Sequence, residues 1–324
     1  MSELRWHPLL EQWVVTATHR QERTYKPPDG YCPLCPTKDG LVTEVPAADY
    51  EIVVFENKFP SFTLPAPASD ITGNDLHPVA PAAGLCEVIL YSPDHNGSLA
   101  TESIPQIHRL VRVWRDRFES LGGRPEIAYV FIFENKGDVI GVTLAHPHGQ
   151  IYAFPFIPPQ IEKELNACRN HEEKTGHCLI CDIVVDERRD GRRVVCENDS
   201  FTAVVPFYAR YPYEVHILAR RHLQALPDLT EGEELHLAEI LKDVLVRYDS
   251  LFGFSFPYMM VMHQRPTDDG DYDYYHFHIE FYPPHRTATK IKYLAGCESG
   301  AGTFVNDTLA EEKAAELRAA GVFN

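Results

Sequence analysis

One ordered set of side chains occurs twice in this chain, and that repetition constrains the fold more than any local propensity. The first half reads Cys32-x-x-Cys35 in "YCPLCP", then His95 in "SPDHNG", then a long stretch of helical apolar spacing, then His146-x-His148. The second half reads Cys178-x-x-Cys181, then His222 in "RRHL", then a second such stretch, then His276-x-His278. Four features in one order, twice over, imply an internal duplication. The joint falls near residue 160, in the Pro-rich "FPFIPPQ", and divides the chain into 1–160 and 161–324.

Both halves predict the same kinds of element. "YEIVVFENKFPSF", "CEVILYSP" and "EIAYVFIFEN", then "FTAVVPFY", "YEVHILAR", "YMMVMHQ" and "YHFHIEFY", are rich in β-branched and aromatic residues between Pro, Gly, Asn or Asp, and read as strands. "IPQIHRLVRVWRDRFESL" and "GEELHLAEILKDVLVRYDSL" place apolar residues three and four apart and read as amphipathic helices. Each half thus holds several antiparallel-type strands and one long helix, an α+β pattern. The C-terminal "EEKAAELRAAG" is a further helix with no chemistry to offer, and the aromatic residues between 252 and 282 read first as sheet core or interface.

Charge narrows the partners. Lys plus Arg number 30 against 47 Asp plus Glu, a formal charge of −17, which argues against nucleic acid or an anionic membrane. A small anionic substrate stays open, because a few local donors override the global field. No run nears the roughly 18 apolar residues that cross a bilayer. The start, "MSELRWHPLLEQW", lacks the basic end and apolar block of a signal peptide, so a cytoplasmic protein is expected. In a reducing compartment the two C-x-x-C pairs read as metal ligands or redox couples. Cys86, Cys168, Cys196 and Cys297 are expected to be mostly buried apolar fillers.

Zinc in a closed structural site takes four ligands in a tetrahedron, commonly two thiolates and two imidazoles. Cys32, Cys35, His95 and His146 supply one such set, and Cys178, Cys181, His222 and His276 repeat it. A redox dithiol is the alternative, but it would sit at a strand-to-helix step, whereas "CPLC" and "CLIC" each lie next to loops. A competitor for the second site is Glu164, His263 and His278, a harder set for iron or zinc that would leave Cys178 and Cys181 as bystanders. Thiolates usually win zinc, so the cysteine set is preferred.

If His146 binds a metal, His148, two residues on and on the same strand face, is left for other work. A neutral imidazole is a competent nucleophile toward phosphorus. Gln150 can donate its amide N–H to a phosphoryl oxygen, and Gly149 lets backbone approach a phosphate. The competing readings are two ligands of one metal, or a core histidine pair. In the second half Glu280 stands where the first has Gln150, and a carboxylate repels phosphate. Residues 1–160 are therefore expected to be the catalytic half and 161–324 a structural one.

"FENKG", then "HPHGQ", and later "FYPP" resemble the galactose-1-phosphate uridylyltransferase family, a branch of the histidine-triad superfamily. The resemblance runs from "HPLLEQWVV" to "KYLAGCESGAGTF". It implies duplicated histidine-triad-like units, each an antiparallel sheet with a long amphipathic helix. It also implies ping-pong chemistry, in which His148 takes a uridylyl group from UDP-glucose, releases glucose 1-phosphate and passes the group to galactose 1-phosphate. By the same resemblance Arg20 and Arg23 bind sugar phosphate, Asn135 and Thr143 the nucleotide phosphates, Asn57 the uridine, and Lys292 and Glu298 the acceptor. The first metal is implied to be zinc, the second zinc or iron, and the assembly a homodimer. Three positions depart from the well-known bacterial members: Lys58 replaces Asp, Cys297 replaces Tyr, and Glu280 replaces the last histidine of their iron site. The paired thiolate sets also look like a plant ADP-glucose phosphorylase, which leaves the base open. A nucleotide-sugar hydrolase on the same scaffold and a zinc-stabilised binding module are the remaining alternatives.

Overall fold

The computed structural model describes residues 2–321, apart from 23–26, 29, 39 and 41. The first half supplies strands β1 (Ser2–His7), β2 (Gln12–Ala17), β3 (Val53–Glu56), β4 (Val79–Pro81), β5 (Leu85–Leu90), β6 (Tyr129–Lys136) and β7 (His148–Phe154), with helix α1 (Ile104–Gly122) between β5 and β6. The second half opens with helices α2 (Pro159–Thr175) and α3 (Leu179–Asp190). Strands β8 (Val194–Glu197), β9 (Phe201–Val204) and β10 (Val215–Ala219) follow, then α4 (Glu231–Phe252), β11 (Tyr258–His263) and β12 (His278–Tyr282). Two short helices, α5 (Gly296–Ala301) and α6 (Ala310–Ala320), close the chain.

The duplication is written into one sheet. Nine strands run in the order β3-β5-β7-β6-β11-β12-β10-β9-β8. Outward from the central β6–β11 pair, one side reads β6-β7-β5-β3 and the other β11-β12-β10-β9, with β8 added at the far edge. Every ladder is antiparallel, including the junction, where Tyr258 faces Lys136 and Met259 faces Asn135. A separate small sheet, β2-β1-β4, sits beside the first half.

Both long helices cover the same face. Ser103 caps α1 by accepting a hydrogen bond from the Gln106 backbone N–H, and Pro105 occupies its first turn, where a missing N–H costs nothing. Ile107, Leu110, Val111, Trp114, Phe118 and Leu121 then form a buried stripe. Helix α4 begins with a Thr230–Glu233 capping box, and Gly253 ends it at φ 72°, a left-handed angle that suits glycine. Its Leu237, Leu241, Val244 and Tyr248 join the α1 stripe and the β-sheet residues Val130, Ile132, Met260, Met262 and Ile279 in one core. Arg115 of α1 pairs with the buried Glu234 of α4 and ties the halves together.

Two expectations are corrected. The second half carries further helices, α2 and α3, beside α4: each buries a narrow stripe, Ile161, Leu165 and Cys168 on α2 and Ile180, Val184 and Glu187 on α3, in a mostly polar run. Cys297 is exposed, while Cys86 and Cys168 are buried as expected. Phe256, Tyr258, Tyr275, Phe277 and Phe281 are core residues. Among the described residues, no helix is long and apolar enough to cross a membrane. Trp114→Ala should cost roughly 3–5 kcal/mol by emptying the site where α1 meets the sheet, read as a lowered urea midpoint at fixed metal content.

Candidate functional site

Cys32, Cys35, His95 and His146 converge, with their ligand atoms all within 4.8 Å of one another. The Cys35 sulfur lies 3.4 Å from His95 Nδ1 and 3.6 Å from His146 Nδ1. Ligands at zinc bond lengths in a tetrahedron sit about 3.5 Å apart, so these spacings match the edges of one coordination shell. The other ring nitrogen of His146, Nε2, is 2.9 Å from the Ser92 carbonyl, which fixes the tautomer that offers Nδ1. Tyr50, which no sequence signal marks, donates its hydroxyl to the same carbonyl and lies 3.0 Å from Nε2. Burial, aided by His95 and His148, lowers His146 to about 4, so its ring is neutral and its lone pair available.

The second set repeats this geometry. Cys178 Sγ is 3.4 Å and Cys181 Sγ 3.5 Å from His276 Nδ1, and Cys181 Sγ is 3.7 Å from His222 Nδ1. His276 Nε2 and His222 Nε2 turn to the carbonyls of Ala219 and Asp273. The cysteines do not simply adjoin a loop, however: Cys178 caps α3 and Cys181 lies in its first turn. A hydrogen bond from the Cys181 thiol, then His276, brings Cys178 down to about 3, where thiolate prevails.

Glu164, His263 and His278 form a third cluster that shares no ligand with the second. The sequence reading set the two against each other; in space they coexist, because His276 and His278 turn to different neighbours. Glu164 Oε2 lies 2.8 Å from His263 Nδ1 and accepts from Tyr275 at 2.9 Å. Burial alone would raise the Glu164 carboxyl, yet His263 beside it brings it to about 2.

His146 and His148 do not share a strand face, since β7 begins at His148. His148 Nδ1 is 2.8 Å from the His146 carbonyl. A carbonyl only accepts, so Nδ1 carries the proton and the lone pair sits on Nε2. His148 lines two cavities. One, of about 330 Å³, is bounded by His95, Ser98, Asn135, Lys136 and Ser255. The other, of about 230 Å³, is bounded by Pro28, Tyr31, Asn57, Phe59, Thr143 and Gln150. His278 repeats the first half of this arrangement, with Nδ1 2.9 Å from the His276 carbonyl, but its Nε2 meets Glu280 at 3.6 Å and Glu164 at 3.9 Å. Burial disfavours charge on His278, but Glu280 more than offsets it and holds the ring above its ordinary value.

Gly149 is needed for a different reason than expected. A Cβ there would lie 2.2 Å from the Tyr91 hydroxyl oxygen, on the core side of the sheet. That hydroxyl donates to Glu134 at 3.4 Å, and Tyr258 donates to the same carboxyl at 3.2 Å. Burial pushes the Glu134 carboxyl up to about 7, against the pull of Lys136 and the two tyrosines.

The remaining expected residues divide. Asn57, Thr143 and Gln150 share a cavity with His148, and Asn135 lines the other. Arg20 is tied down, donating to Ser61 Oγ at 2.7 Å, Tyr152 at 3.2 Å and the Phe59 carbonyl at 3.3 Å. Arg23 lies outside the described residues. Lys292 and Glu298 meet each other at 2.8 Å, with Lys292 also donating to the Val305 carbonyl, and line neither cavity. Lys58 lines the smaller cavity and pairs with Glu44 at 3.6 Å.

Residues 1–158 match the model of the galactose-1-phosphate uridyl transferase N-terminal domain, and residues 164–322 that of the C-terminal domain. A galactose-1-phosphate uridylyltransferase of Thermotoga maritima is 41% identical over 319 residues, covering 98% of each chain. One of Haemophilus influenzae is 34% identical over 328 residues, covering 97% of this chain and 93% of the other. A solved uridylyltransferase superposes with TM-score 0.88 at 35% identity, covering 98% of both chains. An Arabidopsis thaliana ADP-glucose phosphorylase shares the fold, with TM-score 0.75 at 22% identity over the whole of both chains.

Glu134 supplies a pH test. A buried acid with a raised pKa favours folding when protonated and loses that advantage as pH rises, here from about 4.5 to about 7. Glu134→Gln lacks this titration. Its stability relative to wild type should climb through that window, by roughly 3 kcal/mol at most, in denaturant melts at stepped pH.

Proposed function

The chain belongs to the galactose-1-phosphate uridylyltransferase family, and from that premise we propose that it moves UMP from UDP-glucose to galactose 1-phosphate through a covalent adduct on His148. The observation that supports this reading is the 2.8 Å contact from His148 Nδ1 to the His146 carbonyl, which assigns the lone pair to Nε2 of a side chain that lines both cavities.

In the first half-reaction Nε2 bonds to the α phosphorus of UDP-glucose. The bond from that phosphorus to the bridging oxygen breaks, and glucose 1-phosphate leaves with the electron pair. The imidazole becomes cationic, so its Nδ1–H donates more strongly to the His146 carbonyl, a bond already in place. Gln150, two residues on and facing the same cavity, donates to a phosphoryl oxygen as charge shifts onto it. In the second half-reaction a phosphate oxygen of galactose 1-phosphate attacks the adduct, the P–N bond breaks, and His148 regains its lone pair. Asn57 then serves the uridine, and Asn135 and Thr143 the nucleotide phosphates. Arg20 and Arg23 serve the sugar phosphate, with Lys292 and Glu298 completing the acceptor site in a homodimer. Residues 1–160 act as the catalytic half and 161–324 as the structural one, in a cytoplasmic enzyme.

The two thiolate sets fit zinc by donor type and spacing. Zinc bound by Cys32, Cys35, His95 and His146 would supply folding energy and hold the carbonyl that orients His148. The second set takes zinc by the same logic, and the harder Glu164, His263 and His278 cluster suits iron or zinc.

Incubation with UDP-glucose labelled in its α phosphate should give an acid-labile, base-stable protein adduct. His148→Gly should abolish it while metal content stays level; loss of one metal equivalent would mean the roles of the two histidines are reversed. No adduct with wild type, from either UDP-glucose or ADP-glucose, would sink the reading in favour of a binding module. Cys32→Ser should release one metal equivalent and lower the melting temperature, and an unshifted melt would argue against a structural zinc there.

A further inference from the structure

Behind the nucleophile strand lies a polar trio that the mechanism above does not use. Gly149 sits between His148 and Gln150, and its φ is outside the left-handed region, so its backbone alone does not call for glycine. Space does: the Tyr91 hydroxyl oxygen fills the position 2.2 Å from where a Cβ would stand, with Tyr91 Cζ at 3.1 Å and the Phe133 carbonyl at 3.3 Å. The hydroxyl is not loose. It donates to the Glu134 carboxyl, whose other oxygen accepts from Tyr258. Tyr91 and Tyr258 are each 1% exposed and Glu134 4%.

The second half shows what this place looks like without chemistry. Leu90 faces His148 and Leu218 faces His278, so Ala219 holds the ladder place of Tyr91. Phe133 faces Gln150 and Val261 faces Glu280, so Met262 holds that of Glu134. Ile279 holds that of Gly149. Tyr, Gly and Glu in the half with Gln150 become Ala, Ile and Met in the half with Glu280, all fully buried hydrocarbon or thioether. Packing alone is therefore met by apolar residues at these three positions. Burying a carboxyl in their stead carries a desolvation cost, and it is borne only beneath His148.

We propose that Tyr91 and Glu134 are positioning residues for nucleotidyl transfer: the Tyr91 hydroxyl, anchored by Glu134, props Gly149 from the core side and so sets the height at which His148 and Gln150 stand above the sheet. The proposal rests on His148 being the nucleophile. Tyr91 lines neither cavity, and Glu134, 4% exposed, borders the larger one; each acts on the nucleophile through the backbone between His148 and Gln150. Displacement of a reacting group by about 1 Å can cost some 100-fold in rate, which is the sensitivity the prop guards against.

The test is single-turnover release of glucose 1-phosphate from UDP-glucose, with the metal-loaded wild type beside Tyr91→Phe, Glu134→Met and the double variant. Tyr91→Phe removes one oxygen and keeps the ring, so it preserves the packing; melting temperatures are taken for all. Release should slow about 10-fold or more in each single variant, with KM for UDP-glucose within about twofold. The double variant should be no slower than the slower single, since the two residues form one device. Wild-type speed in Tyr91→Phe, or slowing only in step with a loss of folded protein, overturns the proposal. If Glu134→Met fails to fold, Tyr91→Phe decides alone. A wild type that releases no glucose 1-phosphate from either UDP-glucose or ADP-glucose would instead refute His148 as nucleophile, which separates that failure from this one.

Discussion

The hydrogen bond from His148 to the carbonyl of His146 links every other part of the site. Its acceptor belongs to a residue whose own ring is buried and held at both nitrogens, by the thiolate cluster on one side and the Ser92 carbonyl on the other. Its donor is the nitrogen that must carry the proton if the opposite nitrogen is to attack. A structural cluster and a chemical one are thus joined through a single peptide unit. Fixing His146 fixes the carbonyl, the carbonyl selects the tautomer, and the tautomer directs the lone pair.

The duplicated half keeps the same backbone relation in a different charge setting. His276 and His278 keep the same relation, with the same backbone acceptor and the same kind of thiolate neighbours. The surroundings of the ring differ. Glu280 in place of Gln150, with Glu164 nearby, replaces a donor that welcomes phosphate by carboxylates that favour a protonated ring. Glu280 for Gln150 joins Ala219, Ile279 and Met262 for Tyr91, Gly149 and Glu134 in distinguishing the halves where the ladder register does not.

Much of this was legible in the order of residues. Cysteine pairs and histidines must be close in space to share an ion, so their repetition foretold both clusters, and the period of "IPQIHRLVRVWRDRFESL" foretold α1. Other features leave no such trace. Helix α2 buries only Ile161, Leu165 and Cys168, a stripe too narrow to stand out in a mostly charged run. Tyr50, Tyr91 and Glu134 reach the site from elements whose sequence reads only as strand or connector, and their roles arise from tertiary contact. The Glu164 cluster was visible as a set of residues, but that it stands beside the thiolate set, with no shared ligand, depends on the direction in which adjacent histidines turn. Gly149 was legible as a position intolerant of a side chain; which neighbour forbids one became clear only with Tyr91 in place.

The continuous sheet carries a consequence for the evolution and handling of the molecule. Strand β6 carries Glu134 and Asn135, which both border the larger cavity, and its outer hydrogen bonds go to β11 of the other half. Separated at the joint, the first half would present that strand as a bare edge, with Phe131 and Phe133 beside it, inviting pairing with any passing chain. The second half thus supplies a permanent partner strand to the first, and an ancestor with only one copy would have had to recruit a sister subunit across the same line.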